Sequence, residues 1–302
     1  MIRKAIKSNH STLVVSLPIK WVKKHKVSKG AEFSVIENES GDLIISTKTQ
    51  NHTKKKELKL QRSDPEYIEG QIRQAYITGY DELTIYFEDD SAIIPITNYL
   101  PLCMGYEMIE QKKSYCIVRN VMLERKEEYN IFFRKLLQAS LYLSEVVAIH
   151  FSQKPMKETD LKIESLYKTV TKYTNYCRRV GYKFHLIETE KGILEYTLAT
   201  LFHMIAGNYR YAYSYFLHHP AKLGKSTLEY IEKVNAVYRL LGSMYETGKL
   251  DKNLHKSIGL LMDEGNKLVG MKKANPAITK YFSEIARILR ASASKVQAIA
   301  NE

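Results

Sequence analysis

Cysteine is scarce in this sequence, and its three copies lie far apart. Cys103, Cys116 and Cys177 form no CxxC pair and have no histidine at a zinc-finger interval. The spacing therefore argues against a disulfide framework and against a structural zinc site. We interpret all three residues as reduced, buried thiols.

Long apolar runs are also missing. Stretches such as Ala92 to Tyr106 are uncharged but contain prolines and polar residues, and they fall short of the roughly 20 apolar residues that a spanning helix needs. The first residues are basic and lead into Lys7, Ser8 and Asn9 rather than into the apolar core of a secretory leader. We therefore expect no membrane insertion and a cytoplasmic location.

Enzyme motifs are the third absence. The sequence has no glycine-rich phosphate loop, no GxSxG, no HExxH and no recognisable Cys/His dyad. We expect no catalytic residue, no cofactor and no enzymatic activity, with a triad assembled from distant residues left open at this point.

Positive charge is what the sequence has in excess. The 302 residues are 44% apolar and 26% charged, a globular composition whose length predicts two or three domains. The net charge is +13: residues 1–60 hold 13 Lys and Arg against 5 Asp and Glu, residues 61–120 hold 5 against 10, and residues 121–302 hold 28 against 18. Because the first segment concentrates its excess in a third of the length of the last, it is the better candidate for binding a polyanion. A merely soluble basic surface is the alternative on charge alone.

The N-terminal segment has the pattern of short strands around one short helix. Strands are predicted over 13–15, 33–37 and 43–46. Gly41-Asp42 predicts a hairpin turn between the last two strands. Between the first two, Ser16 is the expected cap of a short helix that carries Trp21 and ends before Gly30.

The next part of the chain alternates between helical and strand patterns. The polar stretch 49–63, which contains three consecutive lysines, predicts a solvated linker. Residues 64–120 predict a small α/β connector. Its expected elements are a helix after Asp64-Pro65, a strand over 83–87, a helix over about 96–109 and a strand over 115–118.

From residue 121 onward the apolar periodicity is helical throughout. Breaks that divide this part into about six helices are predicted at Lys154-Pro155, Gly181, His219-Pro220, Gly248 and Asn275-Pro276. Three helices precede Pro220 and three follow it, which predicts a tandem pair of three-helix bundles over about 121–219 and 225–302.

The opening residues carry the most specific pattern. It runs RKxxKSNHSTLVVSLPxKWVKK from Arg3 to Lys24, then VSKGxEF from Val27 and GDLII from Gly41. This pattern resembles AbrB/SpoVT-type swapped-hairpin domains over about residues 1–48. The resemblance implies a β-rich barrel made by interleaved hairpins of two chains, because a few short strands of one chain do not bury a sufficient core. It therefore implies an obligatory homodimer.

The same segment contains the residues that we predict to contact double-stranded DNA. Basic residues around a loop of small polar residues, together with a short basic helix, can approach phosphates and groove edges. By the resemblance, the contacts fall on Arg3, Lys4, Lys7, His10, Lys23 and Lys24, and the residue pattern adds Lys20 on the helix. For each lysine taken singly, a solvated charge is the alternative.

A second resemblance covers residues 64–302. The segments IRQAYIxGYD from Ile72 and MGYEMI from Met104, followed by six helices, resemble archaeal PhoU-like phosphate uptake regulators, many of which carry an AbrB-type N-terminus. The resemblance implies an all-α C-terminal domain that responds to phosphate status or contacts a transport or signalling protein.

The PhoU-like resemblance also concerns metal binding, and here the sequence departs from the pattern. Metal-binding members have carboxylates four residues apart in the third helix of each repeat. The corresponding positions hold His203 with Gly207 and Glu284 with Ile288, so we predict no metal site. The spacing does occur on other helices, at Asp160 with Glu164 and at Glu124 with Glu128. We interpret those pairs as solvated helix faces.

Two further features favour packing roles. His203 lies in an apolar stripe, and we interpret it as a core histidine with satisfied hydrogen bonds. The tyrosines of the run from Tyr209 to Tyr215 spread round the helix axis. This favours core and interhelix packing over base stacking or a partner surface.

Together these patterns predict a multidomain, non-enzymatic transcriptional regulator that binds DNA as a homodimer and is linked to phosphate uptake or phosphate signalling. The first alternative is a PhoU-type adaptor that regulates a transporter or kinase by protein contacts, with the N-terminal domain used for dimerisation. An antitoxin-like role leaves the long helical half unexplained, and an enzyme is the most distant alternative.

Overall fold

The structure is a computed structural model of the chain and describes residues 2–8, 12–37, 41–47, 53–271 and 275–301. The chain divides into two compact units, Met1–Thr53 and Lys54–Glu302. The boundary falls inside the stretch that the sequence predicts as a linker. The second unit contains both the predicted α/β connector and the predicted helical domain.

The N-terminal unit contains two antiparallel hairpins and one short helix. Its strands are β1 (Ile6–Lys7), β2 (Leu13–Val14), β3 (Ser34–Glu37) and β4 (Leu43–Ser46). β1 pairs with β2 and β3 pairs with β4. Gly41 has a φ of 79° in the second hairpin, a left-handed conformation that favours glycine. Strands β2, β3 and β4 lie close to where the sequence predicts them, whereas β1 was not predicted.

Helix α1 (Ile19–Lys24) connects the two hairpins. Its cap position is Pro18, and no side chain caps it, so the prediction that Ser16 caps this helix is wrong. Proline suits the start of a helix because its fixed φ is already helical and its missing N–H would have no intrahelical partner. The helix ends before Lys26, whose φ of 51° lets the Val27 N–H donate to the Val22 carbonyl oxygen.

The second unit begins with an open four-stranded sheet. Its strands are β5 (Lys55–Lys59), β6 (Glu82–Tyr86), β7 (Tyr106–Gln111) and β8 (Tyr115–Asn120). Their order is β5-β6-β8-β7, with β5 parallel to β6 and the other pairs antiparallel. Helices α2 (Pro65–Ile77) and α3 (Ile93–Tyr99) complete this part. Buried side chains of α2 and α3 share one apolar core with those of the sheet.

Two sequence predictions are wrong in this part. Residues 55–59 form the edge strand β5 and not a linker. Lys55 and Lys59 face solvent while Leu58 is buried. An edge strand with exposed lysines has a composition similar to that of a linker. The helix predicted over 96–109 gives way to β7 at Tyr106. Gly105 lies between the two elements with a φ of 86°, which a helix interior does not allow.

Six long helices follow, as predicted. They are α4 (Tyr129–His150), α5 (Lys157–Lys183), α6 (Glu190–His218), α7 (Lys225–Thr247), α8 (Leu254–Val269) and α9 (Pro276–Ala300). Gly248 ends α7 with a φ of 68°, and Asn275 caps α9 by accepting from the Ile278 N–H. The break predicted at Gly181 is wrong, because that glycine is buried inside α5 and the turn comes after Lys183.

The helices share a single hydrophobic core. Three lie on each side of Pro220, as predicted, but α6 packs against α9 and α4 against α7. One cluster of buried side chains therefore spans both sets, in place of the two separate bundles expected. Cys103, Cys116 and Cys177 are free and buried, as predicted, and burial raises the pKa of Cys116 to about 11.

A buried ionic cluster joins the sheet to the bundle. Arg179 of α5, with a side chain that is 0% exposed, donates to Asp81 Oδ1 and Glu124 Oε1, each at 2.6 Å. Lys183 Nζ reaches Asp81 Oδ1 at 2.7 Å and Glu124 Oε2 at 2.9 Å. Burial alone would raise the pKa of Asp81, but hydrogen bonds from Lys183 and from the Lys54 backbone N–H hold it below its ordinary value. We call these four residues, Asp81, Glu124, Arg179 and Lys183, the Arg179 cluster.

Candidate nucleic-acid interface

Three of the predicted DNA contacts lie at the start of the N-terminal unit. Arg3 and Lys4 lie in the segment before β1, and Lys7 is the second residue of that strand. All three are exposed. Neighbouring strand residues face opposite ways, so Lys7 and Ile6 lie on different faces of the first hairpin. His10, also predicted as a contact, lies outside the described residues.

The other three predicted contacts lie on α1. Lys20, Lys23 and Lys24 are exposed, and their spacing of three and four residues places them on one side of the helix. Trp21 is half-buried, with its ring centroid 6.2 Å from that of Phe33. The aromatic contact anchors α1 within its unit and leaves the lysine face in solvent.

The positive charges of this unit are available to a ligand. Within the part of the chain that the structure describes, none of Arg3, Lys4, Lys7, Lys20, Lys23 and Lys24 forms an ion pair with a carboxylate. Solvated, unpaired cations are the groups that release counterions when they bind nucleic-acid phosphates. The arrangement can therefore bind a polyanion at little cost in broken ion pairs.

The N-terminal unit also exposes an unusual amount of apolar surface. No described residue before Leu58 is buried, although the unit is rich in valine, leucine and isoleucine. On the β3–β4 hairpin, Val35 lies opposite Ile45 and shares its face with Leu43, and these side chains are 57%, 40% and 65% exposed. A two-stranded hairpin without a covered face is marginally stable in water. In the single chain, the described residues of this unit therefore form no buried core.

His203 lies in a polar seam between α5 and α6. Its Nε2 is 3.1 Å from Thr171 Oγ1, and its ring stacks on Tyr167 with centroids 5.2 Å apart. Burial, together with the charges of Arg73, Arg178 and Arg210, lowers the pKa of His203 to about 4. The prediction of a core histidine with satisfied hydrogen bonds is met only in part, because one ring nitrogen has a partner and the residue is half-buried.

The surroundings of His203 are positively charged, which disfavours a metal cation. Among the described residues, no group of three His, Cys, Asp or Glu side chains is placed to hold a metal ion. Glu124 belongs to one of the carboxylate pairs interpreted as solvated, but its side chain is buried in the Arg179 cluster. That interpretation is wrong for Glu124.

The tyrosine run of α6 divides between core and surface. Tyr209 and Tyr213 are fully buried, and Tyr209 packs edge-on against Phe282 of α9. Tyr211 is 53% exposed and lies under Arg210. The predicted core packing is therefore confirmed for two of the tyrosines.

The Arg179 cluster is the polar site that the sequence did not reveal. Its members come from three separate segments, with Asp81 and Arg179 98 residues apart. The only available signal was an arginine in the middle of an apolar helical pattern beside Cys177 and Val180.

Neither unit offers a membrane span, since no helix among the described residues combines the length and the apolar character required. No protein-family model, curated protein or solved structure matches the chain.

Proposed function

We propose that this protein is a cytoplasmic transcriptional regulator that binds double-stranded DNA as a homodimer through its N-terminal unit. One observation carries the proposal: six cationic side chains of a small unit are exposed and have no ion pair with any described residue. They lie on β1, on the segment before it and on α1. A surface of this kind supplies the phosphate contacts on which DNA affinity largely depends.

The proposed dimer follows from the missing core. A unit of this size must cover the apolar face of Val35, Leu43 and Ile45 to be stable. A second copy is the occupant we propose, because identical patches related by a twofold axis cover each other. Interleaving of the hairpins from two chains, as in the AbrB/SpoVT-type barrels, would bury these side chains and bring two sets of cations onto one surface.

DNA binding is tested by electrophoretic mobility shift with genomic fragments over a salt series. The test variant is Arg3→Ala/Lys4→Ala/Lys7→Ala. The matched control is Lys249→Ala/Lys252→Ala/Lys256→Ala, which removes the same charge from exposed positions of the second unit. We expect the test variant to lose specific binding, with a salt slope shallower by about 5 per dimer, because six phosphate contacts at about 0.9 each are lost.

The DNA proposal fails if the wild-type protein shows no salt-dependent binding at low ionic strength. It also fails if the control variant loses as much affinity as the test variant, because the basic helical part would then be the binding surface.

Dimerisation is tested separately by the mass of the full chain in solution. Val35→Lys/Ile45→Lys places two charges on the exposed hairpin face and should give a monomer. Leu260→Lys is the control, because Leu260 is also an exposed apolar side chain, 61% accessible, but belongs to the second unit. A hairpin variant that retains the wild-type mass would refute the proposed interface.

The helical part has the proposed role of receiving a signal, linked to phosphate status or to a transport or signalling protein. The adaptor alternative has one observation in its favour. Ile193, Met204 and Tyr211 of α6 are exposed and fall on one side of the helix, since they are 11 and 7 residues apart. If the wild-type protein does not bind DNA, the adaptor role becomes the better account.

A further inference from the structure

A second basic site lies in the other unit, along the seam between α5 and α6. Three cross-helix pairs define the seam: Arg178 with Tyr196, Thr171 with His203, and Glu164 with Arg210. Successive pairs step back seven residues on α5 and forward seven on α6, so the helices are antiparallel and the three polar pairs follow one another along the seam at intervals of about two helical turns. Helix α2 packs beside α5 and contributes Arg73, whose charge acts on His203.

Arg178 has a hydrogen-bond donor without an acceptor. Its Nη2 donates to the Tyr196 hydroxyl at 2.9 Å, and its guanidinium lies over the Tyr196 ring. Its Nε is buried and has no hydrogen-bond partner among the described residues. A charged donor that is buried without an acceptor is unfavourable, and a small rearrangement of the side chain toward a bound anion would supply the missing acceptor.

The other charges of the seam are partly balanced. Arg210 pairs with Glu164, and Glu69, one turn before Arg73 on α2, lies close enough for its pKa to respond to that arginine. Arg178 has no carboxylate partner in the described part of the chain. The seam therefore keeps an unbalanced positive charge at Arg178.

The tautomer of His203 follows from its neighbours. Thr171 has one hydroxyl proton and donates it to the Tyr167 carbonyl oxygen at 2.9 Å. The contact between Thr171 Oγ1 and His203 Nε2 then requires the proton on Nε2. Nδ1 is left as a hydrogen-bond acceptor, and it has no partner in the described part of the chain.

We propose that the seam binds a protonated oxyanion, namely inorganic hydrogen phosphate. Arg178 and Arg73 donate to the unprotonated oxygens, and His203 Nδ1 accepts the hydrogen bond of the P–OH group. Sulfate carries no proton at neutral pH and would place an oxygen lone pair against that of Nδ1. Donors and one acceptor in the same site therefore select phosphate over sulfate. This site is independent of the proposed DNA contacts.

The test is calorimetric titration of the full-length protein with sodium phosphate and with sodium sulfate at neutral pH and matched ionic strength. We expect saturable phosphate binding and at least about tenfold weaker sulfate binding, because a site built around a hydroxyl donor rejects an analogue that lacks it. Arg178→Gln should weaken phosphate binding by about tenfold or more. Arg287→Gln, an exposed arginine of α9, is the matched control and should bind normally.

Two variants of His203 separate recognition from a packing role. His203→Asn keeps an acceptor near the position of Nδ1, and His203→Gln keeps a donor near that of Nε2. We expect His203→Asn to retain the preference for phosphate and His203→Gln to lose it. A general packing defect would affect both variants, and thermal melts of each variant show whether its fold is intact.

The Arg3→Ala/Lys4→Ala/Lys7→Ala variant should bind phosphate like the wild type even where it no longer binds DNA. Equal affinity for phosphate and sulfate, or wild-type affinity in Arg178→Gln, would overturn the proposal. Phosphate binding that disappears in the N-terminal variant would do the same, because the anion would then bind at the N-terminal cations. A wild-type protein that binds neither anion also refutes it and would leave an acidic side chain of a protein partner as the better ligand for Arg178.

Discussion

Replacing Arg179 with methionine removes the centre of the ionic cluster that joins the sheet to the helices. The arginine donates four hydrogen bonds, to Asp81, Glu124 and the carbonyl oxygens of Tyr76 and Tyr80. Burial would lower the pKa of Arg179, but the charge of Glu124 holds it above its ordinary value. The guanidinium is therefore charged at every pH at which the protein is folded.

The magnitude follows from the charges that remain. Without Arg179, two carboxylates share the single ammonium group of Lys183, which is 29% exposed, while the Glu124 side chain is 2% exposed. One buried negative charge is then uncompensated. Breaking a buried ion pair from one side costs about 3–5 kcal/mol. The carbonyl oxygens of Tyr76 and Tyr80 keep other donors, from the Gly79 N–H and the Tyr106 hydroxyl, so they add little to this cost.

The assay is urea denaturation followed by far-ultraviolet circular dichroism, which reports mainly on the long helices. Arg287→Met is the control, because its ion pair with Glu284 is exposed and should contribute no more than about 0.5 kcal/mol. The double variant Glu124→Gln/Arg179→Met should be more stable than Arg179→Met, since it leaves one carboxylate for one ammonium. A loss below about 1 kcal/mol in Arg179→Met would refute the assignment of an uncompensated buried charge.

Two further predictions concern single positions. His203 has a pKa of about 4 in the folded chain against about 6.5 when unfolded, so the unfolded state binds more protons between these values. The free energy of unfolding should therefore fall as the pH falls from 6.5 to 4. The decrease should be about 2 kcal/mol larger in the wild type than in His203→Gln, and urea melts at each pH measure it. Gly248 ends α7 with a φ of 68°, and a methyl group there meets open space, so Gly248→Ala should cost about 1 kcal/mol through backbone strain alone. Gly270→Ala, at a φ of −83°, should be close to neutral in the same thermal melts, and equal losses at both glycines would contradict this explanation.

The sequence was most informative about features that depend on residues close together in the chain. Helix ends followed from signals such as Gly248 and Asn275-Pro276, and the β3–β4 hairpin followed from Gly41-Asp42 between β-branched residues. Strand β5 was missed because its place at the sheet edge allows lysines where an inner strand would need apolar residues. Strand β7 was missed because the apolar spacing before and after Gly105 continues a helical pattern.

The candidate sites also divide into those formed by residues close in the chain, which were predictable, and those formed by distant residues, which were not. Exposed lysines on α1 were predictable, since a short helix with one aromatic anchor leaves its basic side in solvent. The Arg179 cluster and the seam around His203 depend on contacts between residues that are far apart in the chain, 98 residues for Asp81 and Arg179 and 32 for Thr171 and His203. Such contacts follow from the packing of complete elements, so no short motif predicts them.

The aromatic residues are divided between the units in a way that an optical experiment can use. Trp21 is the only tryptophan and belongs to the first unit, whereas all 22 tyrosines lie after residue 53. Excitation of tyrosine followed by emission from tryptophan therefore measures energy transfer from one unit to the other, without any added dye. A ligand that rearranges the two units would change the transfer efficiency of the unmodified protein.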